Sequence, residues 1–174
     1  PTIRGVLPGG SHGDITVNII GGDNNATAIA FSETDSSGGP ASTRYISQVV
    51  TLLDGFDAGD LRAFITAVKP AGSDIQIYYR VRNLTDREPI EKRRWVRMVQ
   101  KTSEYIYSVN NNQIEYEYRP SLTSNNITYT TEATTYKTFN QYKLKIVLSS
   151  DDTVSSALPY VYDIRAIALP EDAY

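Results

Sequence analysis

The 174-residue chain carries 17 basic and 20 acidic residues, a formal charge of -3, and no cysteine. This balance excludes the basic bias that sequence-independent nucleic-acid binding needs, and the lack of thiols excludes disulfides and thiolate metal sites. No apolar run approaches the roughly eighteen residues of a membrane helix, and PTIRGVLPGG at the start lacks the apolar centre of a secretory signal, so a soluble chain with no membrane partner is expected.

The length predicts one domain with a substantial core, and a first residue that is Pro rather than Met points to a piece of a longer chain. Thirteen tyrosines and many Thr, Val and Ile residues favour strands, and no window sustains a 3.6-residue apolar period. Residues 1–14, rich in Gly and Pro, read as an extended arm. A short strand at 15–20 (ITVNII) ends in the turn signal GGDNN, and 26–31 offers a second. Residues 32–42, SETDSSGGPAS, have almost no apolar side chain and read as a flexible joint. Residues 1–42 are therefore assigned as an arm or linker with one or two short strands, and 43–174 as the β-domain.

Residues 43–82 contain three β-rich runs, 45–52, 61–68 and 75–81, separated by turn-rich segments, in outline a β-meander. Leu61, Ala63, Ile65 and Ala67 share one face of the second run. Ile75, Ile77, Tyr79 and Val81 share one face of the third, with Gln76, Arg80 and Arg82 opposite, which predicts one packed and one partly wet face. The turn at 53–60 is expected to set the register between the first two runs. Residues 83–94, NLTDREPIEKRR, are charged and contain Pro89, and read as an exposed loop.

Residues 95–99 form a strand candidate holding the only Trp and the only Met. Residues 105–109 and 113–119 predict a hairpin across Asn110, Asn111 and Asn112, since Asn tolerates left-handed backbone. In its second arm Ile114, Tyr116 and Tyr118 alternate with Gln113, Glu115 and Glu117. A Thr-rich run at 127–135 alternates weakly. In 142–148, Tyr142, Leu144, Ile146 and Leu148 share a face opposite Lys143 and Lys145, and in 162–169 Ile164, Ala166 and Ala168 alternate with Asp163, Arg165 and Ile167. About eight closely spaced strands predict an all-β fold, an antiparallel β-sandwich of jelly-roll-like form with an extended N-terminal arm.

Groups that can be activated for catalysis are few. His12, the single histidine, lies in the Gly-rich leader, far from any core strand, and reads as solvated. Glu115 with Glu117, or Glu88 with Glu91, are the carboxylate pairs a glycosidase would need, but residues two apart share a strand face, so Glu115 and Glu117 more simply mark the wet side of their strand. Asp54, Asp57 and Asp60, with Gly55 and Gly59 between them, are the calcium-ligand candidates. Their spacing is not that of an EF-hand, and turn chemistry accounts for the same residues. No cofactor is implied.

Arg87, Lys92, Arg93, Arg94 and Arg97 form a basic cluster suited to an acidic partner surface, although Asp86, Glu88 and Glu91 among them offer local neutralisation. Tyr78, Tyr105, Tyr107 and Tyr136 are candidate platforms for a sugar ring, against the simpler reading that tyrosines are strand framework. Sequons at Asn25, Asn83 and Asn126 matter only in a secreted eukaryotic chain.

The series TRYISQVVTLLDGFDAGDLRAFITAVKPAGSDIQIYYR, from Thr43, resembles a segment of virion structural proteins of contractile-tailed phages, especially marine and cyanobacterial myoviruses. YKLKIVLSS, LPYVYDIRAIAL and the intervening RRWVRM are similar to blocks of the same family, so the resemblance covers Thr43 to Leu169 in pieces. It implies a β-sandwich module of a phage tail, baseplate or attached fibre, with other tail subunits and copies of itself as partners, located in the virion, and no catalytic or metal residue is carried over by it. A glycan- or receptor-binding module of a tail fibre is the alternative, and a depolymerase ranks third for want of an acid/base pair.

Overall fold

Among the described residues the β-branched and aromatic runs form fourteen strands and two single-turn 3-10 helices. The computed structural model describes residues 2–6, 15–20, 29–39, 41, 43–101, 107–124, 126–131, 133–150 and 158–171, the strands up to residue 31 by backbone alone. No helix among these residues is long and apolar enough to cross a membrane. The fold is all-β.

At the N-terminal end β1 (Thr2–Val6), β2 (Ile15–Ile20) and β3 (Ile29–Phe31) pair antiparallel in that order. Two of these were expected. The third, β1, comes from the stretch read as an arm, because TIRGV, with β-branched Thr2, Ile3 and Val6, precedes the Gly and Pro residues that dominated that reading.

The main body is an antiparallel sandwich. One sheet has the order β14 (Tyr160–Leu169), β6 (Asp60–Val68), β10 (Ile114–Arg119), β9 (Val99–Gln100). The other has the order β4 (Arg44–Ile46), β13 (Gln141–Ser150), β7 (Ser73–Arg82), β8 (Val96–Arg97), with β5 (Val50–Thr51) also on β13. A small hairpin, β11 (Tyr129–Thr131) and β12 (Thr134–Tyr136), takes up the Thr-rich run.

The core lies between the sheets and is built from the alternating residues identified above. Leu61, Ala63, Ile65 and Ala67 of β6 are fully buried against Ile75, Ile77, Tyr79 and Val81 of β7, with Tyr116 and Tyr118 of β10 and Tyr142, Leu144 and Ile146 of β13. Fully burying each of these larger side chains contributes about 1.5–3 kcal/mol.

That packing corrects the meander. β6 and β7 follow one another in sequence but sit in opposite sheets, β6 pairing with β10 and β14, and β7 with β13 and β8. Facing strands bury both apolar faces against each other, which side-by-side pairing in one sheet does not do. For the same reason the turn at 53–60 sets no register between the first two runs. The first run splits into β4 and β5, both paired with β13.

Residues 96–100 make a similar crossing. β8 pairs with β7 in one sheet and β9 with β10 in the other, and the buried Met98 lies at the crossing. Of the hairpin expected at 105–119, residues 105 and 106 lie outside the described residues, and the rest takes a different form. Val109–Asn111 forms a 3-10 turn, with Asn110 and Asn111 at positive φ as their residue type allows, and β10 pairs with β6 and β9.

The face of β7 expected to be wet is covered. Gln76, Tyr78 and Arg80 are buried, as is Lys145 on neighbouring β13. The covering chain is supplied by residues 32–39 with 41 and by the loop 83–94, the two stretches whose composition reads as solvent-exposed. Arg80 Nη1 donates to the Glu91 carbonyl at 2.9 Å, and Arg82 donates to the carbonyls of Asp86 at 2.7 Å and Glu88 at 3.1 Å. Guanidinium groups can cap loop carbonyls in this way because each offers five donors in a fixed fork.

Candidate functional site

The three calcium candidates are separated in use. Asp60 is buried, its Oδ1 accepting from the Leu61 N–H at 2.8 Å and its Oδ2 from Arg62 Nε at 3.1 Å. Asp57 is exposed and accepts from Asn140 Nδ2, while Asp54 is exposed in the turn. No group of three or more His, Asp or Glu side chains able to hold a metal ion occurs among the described residues. The Asp60 charge, after burial, helps to push the neighbouring Tyr79 hydroxyl up to about 12.

The basic cluster is dispersed. Arg93 pairs with the buried Asp86 and, at 3.2 Å, with Glu88, Arg94 pairs with Asp35 at 3.4 Å, and Arg97 reaches Asp74 at 3.6 Å. Arg87 and Lys92 are exposed. Asp86 is the anchor of this loop, since it also accepts from the Tyr129 hydroxyl at 3.1 Å and the Glu88 N–H at 3.0 Å. Burial, with the Asp86 charge, pushes Tyr129 up to about 12. Three of the five cations are thus spent on neighbouring carboxylates.

Glu115 and Glu117 lie on the outer face of β10, Glu115 paired with Arg165 and Glu117 with Arg119 at 2.6 Å and Lys101 at 3.2 Å. Burial pushes the Glu117 carboxyl up, but its hydrogen bonds to Arg119 and Lys101, with their charges, outweigh that and hold it below the usual range. Glu88 is engaged by Arg93 as above, and Glu91 is exposed. Among the tyrosines, Tyr78 is buried and is no sugar platform, whereas Tyr107 is exposed and Tyr136 stacks on Tyr129 at 5.1 Å. Asn83 makes an Asx-turn, its Oδ1 accepting from the Thr85 N–H at 3.0 Å and its Nδ2 donating to the Thr138 carbonyl at 3.1 Å. Asn126 is half-buried, and His12, Asn25 and Tyr105 lie outside the described residues.

Two arrangements emerge that residue patterns do not announce. The first is the strap formed by residues 32–39 and 41. Glu33, buried, receives Lys145 Nζ on Oε2 at 2.8 Å, and the same ammonium donates to the Gly38 carbonyl at 3.0 Å and to the Glu33 carbonyl. Lys145 Nζ lies 4.5 Å from the Tyr78 ring centroid and 5.4 Å from that of Trp95, whose backbone N–H donates to the Thr34 carbonyl at 2.8 Å. Burial pulls the Lys145 pKa down, opposed by Glu33. The strap can close only with glycine at 39, where φ is +78° and an added Cβ would lie 2.6 Å from the Glu33 Cα. This pair is a clasp inside the fold.

The second arrangement is open to solvent. On one side of the sandwich the edges β4 and β14 do not meet, leaving a cleft of about 450 Å³ lined by Thr43, Arg44, Tyr45, Ile146, Leu148 and residues 161–164. Leu148, Val161 and Ile164 floor it as half-buried extensions of the core, and Tyr45 and Tyr162, 55% and 60% exposed, stand at its mouth with Arg44 and Asp163. Tyr160, 58% exposed, and Ile46 extend the apolar rim. Exposed apolar groups gathered at a concave edge, with few polar groups among them, are the features of a contact site. The signal in the sequence was the density of aromatics in PYVYDIRAIAL and TRYI, but only the pairing of β4 with β13 and β14 with β6 brings the two segments to one side.

No protein-family model, curated protein or solved structure matches this chain.

Proposed function

We propose that this chain is a non-enzymatic structural component of a phage virion, a tail- or baseplate-associated β-sandwich that works through subunit contacts at its open side. One observation carries the reading. The blocks that resemble contractile-tailed phage virion proteins, from Thr43, from Tyr142 and from Leu158, supply both walls of the cleft between β4 and β14. The buried Glu33 is paired with Lys145 of β13 and the buried Asp86 with Arg93 of its own loop, internal pairs that suit a scaffold.

The test is to locate the chain in purified virions by electron microscopy and to follow incorporation of the full chain carrying Tyr45→Glu and Tyr162→Glu. The expected result is density for the chain in the tail and loss of incorporation by a variant whose thermal unfolding is unchanged. Absence from virions, or normal incorporation of the variant, refutes the proposal.

A second reading, a glycan-binding module of a tail fibre, is favoured by the same cleft. Two exposed tyrosine rings beside Arg44 and Asp163 combine an apolar platform with hydrogen-bonding groups, as sugar recognition requires. Saturable binding on a glycan array that is abolished by Tyr162→Ala would support it.

A further inference from the structure

Three of the four edges of the sandwich are too short to template another strand. β4 has three residues and the neighbouring β5 two, β8 has two and β9 has two, whereas β14 runs for ten. Short, broken edges are a normal defence against unwanted pairing, and a long edge strand is the exception. Among the described residues β14 pairs only with β6, so one of its sides is free.

The side chains of β14 select its partner. Between Val161 and Asp163 the strand carries a bulge, so that β6 pairs Val161 with Ala67 and Asp163 with Thr66, skipping Tyr162. Asp163, Arg165 and Ile167 then lie on the outer face, while Ile164, Ala166 and Ala168 pack toward the core. A second β14 laid antiparallel about a two-fold axis at Ile164, skipping Tyr162 as β6 does, places Asp163 opposite Arg165 and Arg165 opposite Asp163 of the second copy. It also places Tyr160 opposite Ile167 and Val161 opposite Ala166, so outer residues meet outer ones and inner meet inner. An axis moved to Asp163 or Arg165 would set like charges against each other. Arg165 already holds Glu115 and lies 3.7 Å from the Asp163 of its own strand, and its five donors leave it able to reach the Asp163 of the second copy as well.

We infer that the β14 edge is a self-association site, at which a second copy of this chain adds its own β14 antiparallel across a two-fold axis at Ile164 and joins the β14-β6-β10-β9 sheets of the two copies. This names the partner for the subunit contact proposed above and rests on that reading only for its setting in a virion. The isologous contact is closed, since the same patch is used by both copies. It also brings Tyr45, Tyr160 and Tyr162 of each copy toward the other, covering the exposed rim of the cleft.

The experiment is sedimentation equilibrium of the full chain over a range of concentrations and at two salt concentrations. The wild type is expected to dimerise, more weakly at high salt. Asp163→Arg and Arg165→Asp, each setting like charges opposite one another twice per dimer, should each weaken dimerisation by about tenfold, and the double exchange should restore it. Because the chain has no cysteine, Ile164→Cys supplies a single thiol that meets its own copy at the axis and should give a disulfide-linked dimer under mild oxidation, whereas Ile167→Cys should not. A monomer at all concentrations, or a double exchange that behaves like the singles, overturns the inference. A monomer in solution whose density is nevertheless found in virions overturns the pairing alone, whereas a dimer absent from virions overturns the virion reading alone.

Discussion

Glu33→Gln tests whether the strap is part of the folded body. The substitution keeps the shape of the side chain and an oxygen facing Lys145 Nζ, now 2.8 Å from Oε2, but removes the countercharge of an ammonium that is 0% exposed. Breaking a buried pair from one side costs about 3–5 kcal/mol, and because an oxygen acceptor survives, the lower end, about 3 kcal/mol, is expected. At this chain length that is roughly a 10 °C fall in the unfolding midpoint. The assay is urea unfolding followed through Trp95, the single tryptophan, which is buried beside the pair.

The pH dependence gives a second readout. Burial already pulls the Lys145 pKa below its ordinary value against the pull of Glu33, so loss of that charge lowers it further. A lysine whose folded pKa lies below its unfolded one binds fewer protons when folded, and stability rises with pH across the interval between the two. The deficit of Glu33→Gln relative to wild type should therefore shrink toward pH 9. The double change Glu33→Leu with Lys145→Met, which removes both charges, should recover most of the loss. A chain starting at Thr43 should behave like the single variant. If Glu33→Gln lies within about 1 kcal/mol of wild type at every pH, the strap contributes nothing to the fold and the argument fails.

Tyr79, raised to about 12 by burial and by Asp60, contributes stability that is complete below the unfolded value near 10 and is lost as pH rises toward 12. Tyr79→Phe should abolish about 2 kcal/mol of that alkaline loss with little change at neutral pH, measured by urea unfolding at pH 8 and 11.5. Trp95→Ala should cost about 3–5 kcal/mol, since the ring is buried with the Arg80 guanidinium 4.3 Å from its centroid, and chemical denaturation followed by far-UV circular dichroism checks it. Calcium or a chelator should leave the thermal midpoint unchanged, because Asp60 and Asp57 already spend oxygens on Leu61, Arg62 and Asn140.

Alternation in the sequence identified the core faces of β6, β7, β10 and β13, because the residue period along a strand is a local property that side-chain burial must obey. It also identified Glu115 and Glu117 as a surface feature and the Asn residues at 110 and 111 as a turn. The cleft was not legible in the same way. Its walls are segments more than a hundred residues apart, and nothing local in either of them encodes the distance between their edges.

What the sequence by itself determined is therefore the β character of the chain, which faces seek a core, and the absence of thiol chemistry. What the tertiary structure alone decided is which strands share a sheet and which polar residues are buried. Lys145 is the clearest case: by pattern it belongs to a wet face, yet it is enclosed because Glu33, 112 residues away, reaches it. A charge can be buried only when a partner is brought to it, and where that partner comes from is settled by the path of the whole chain.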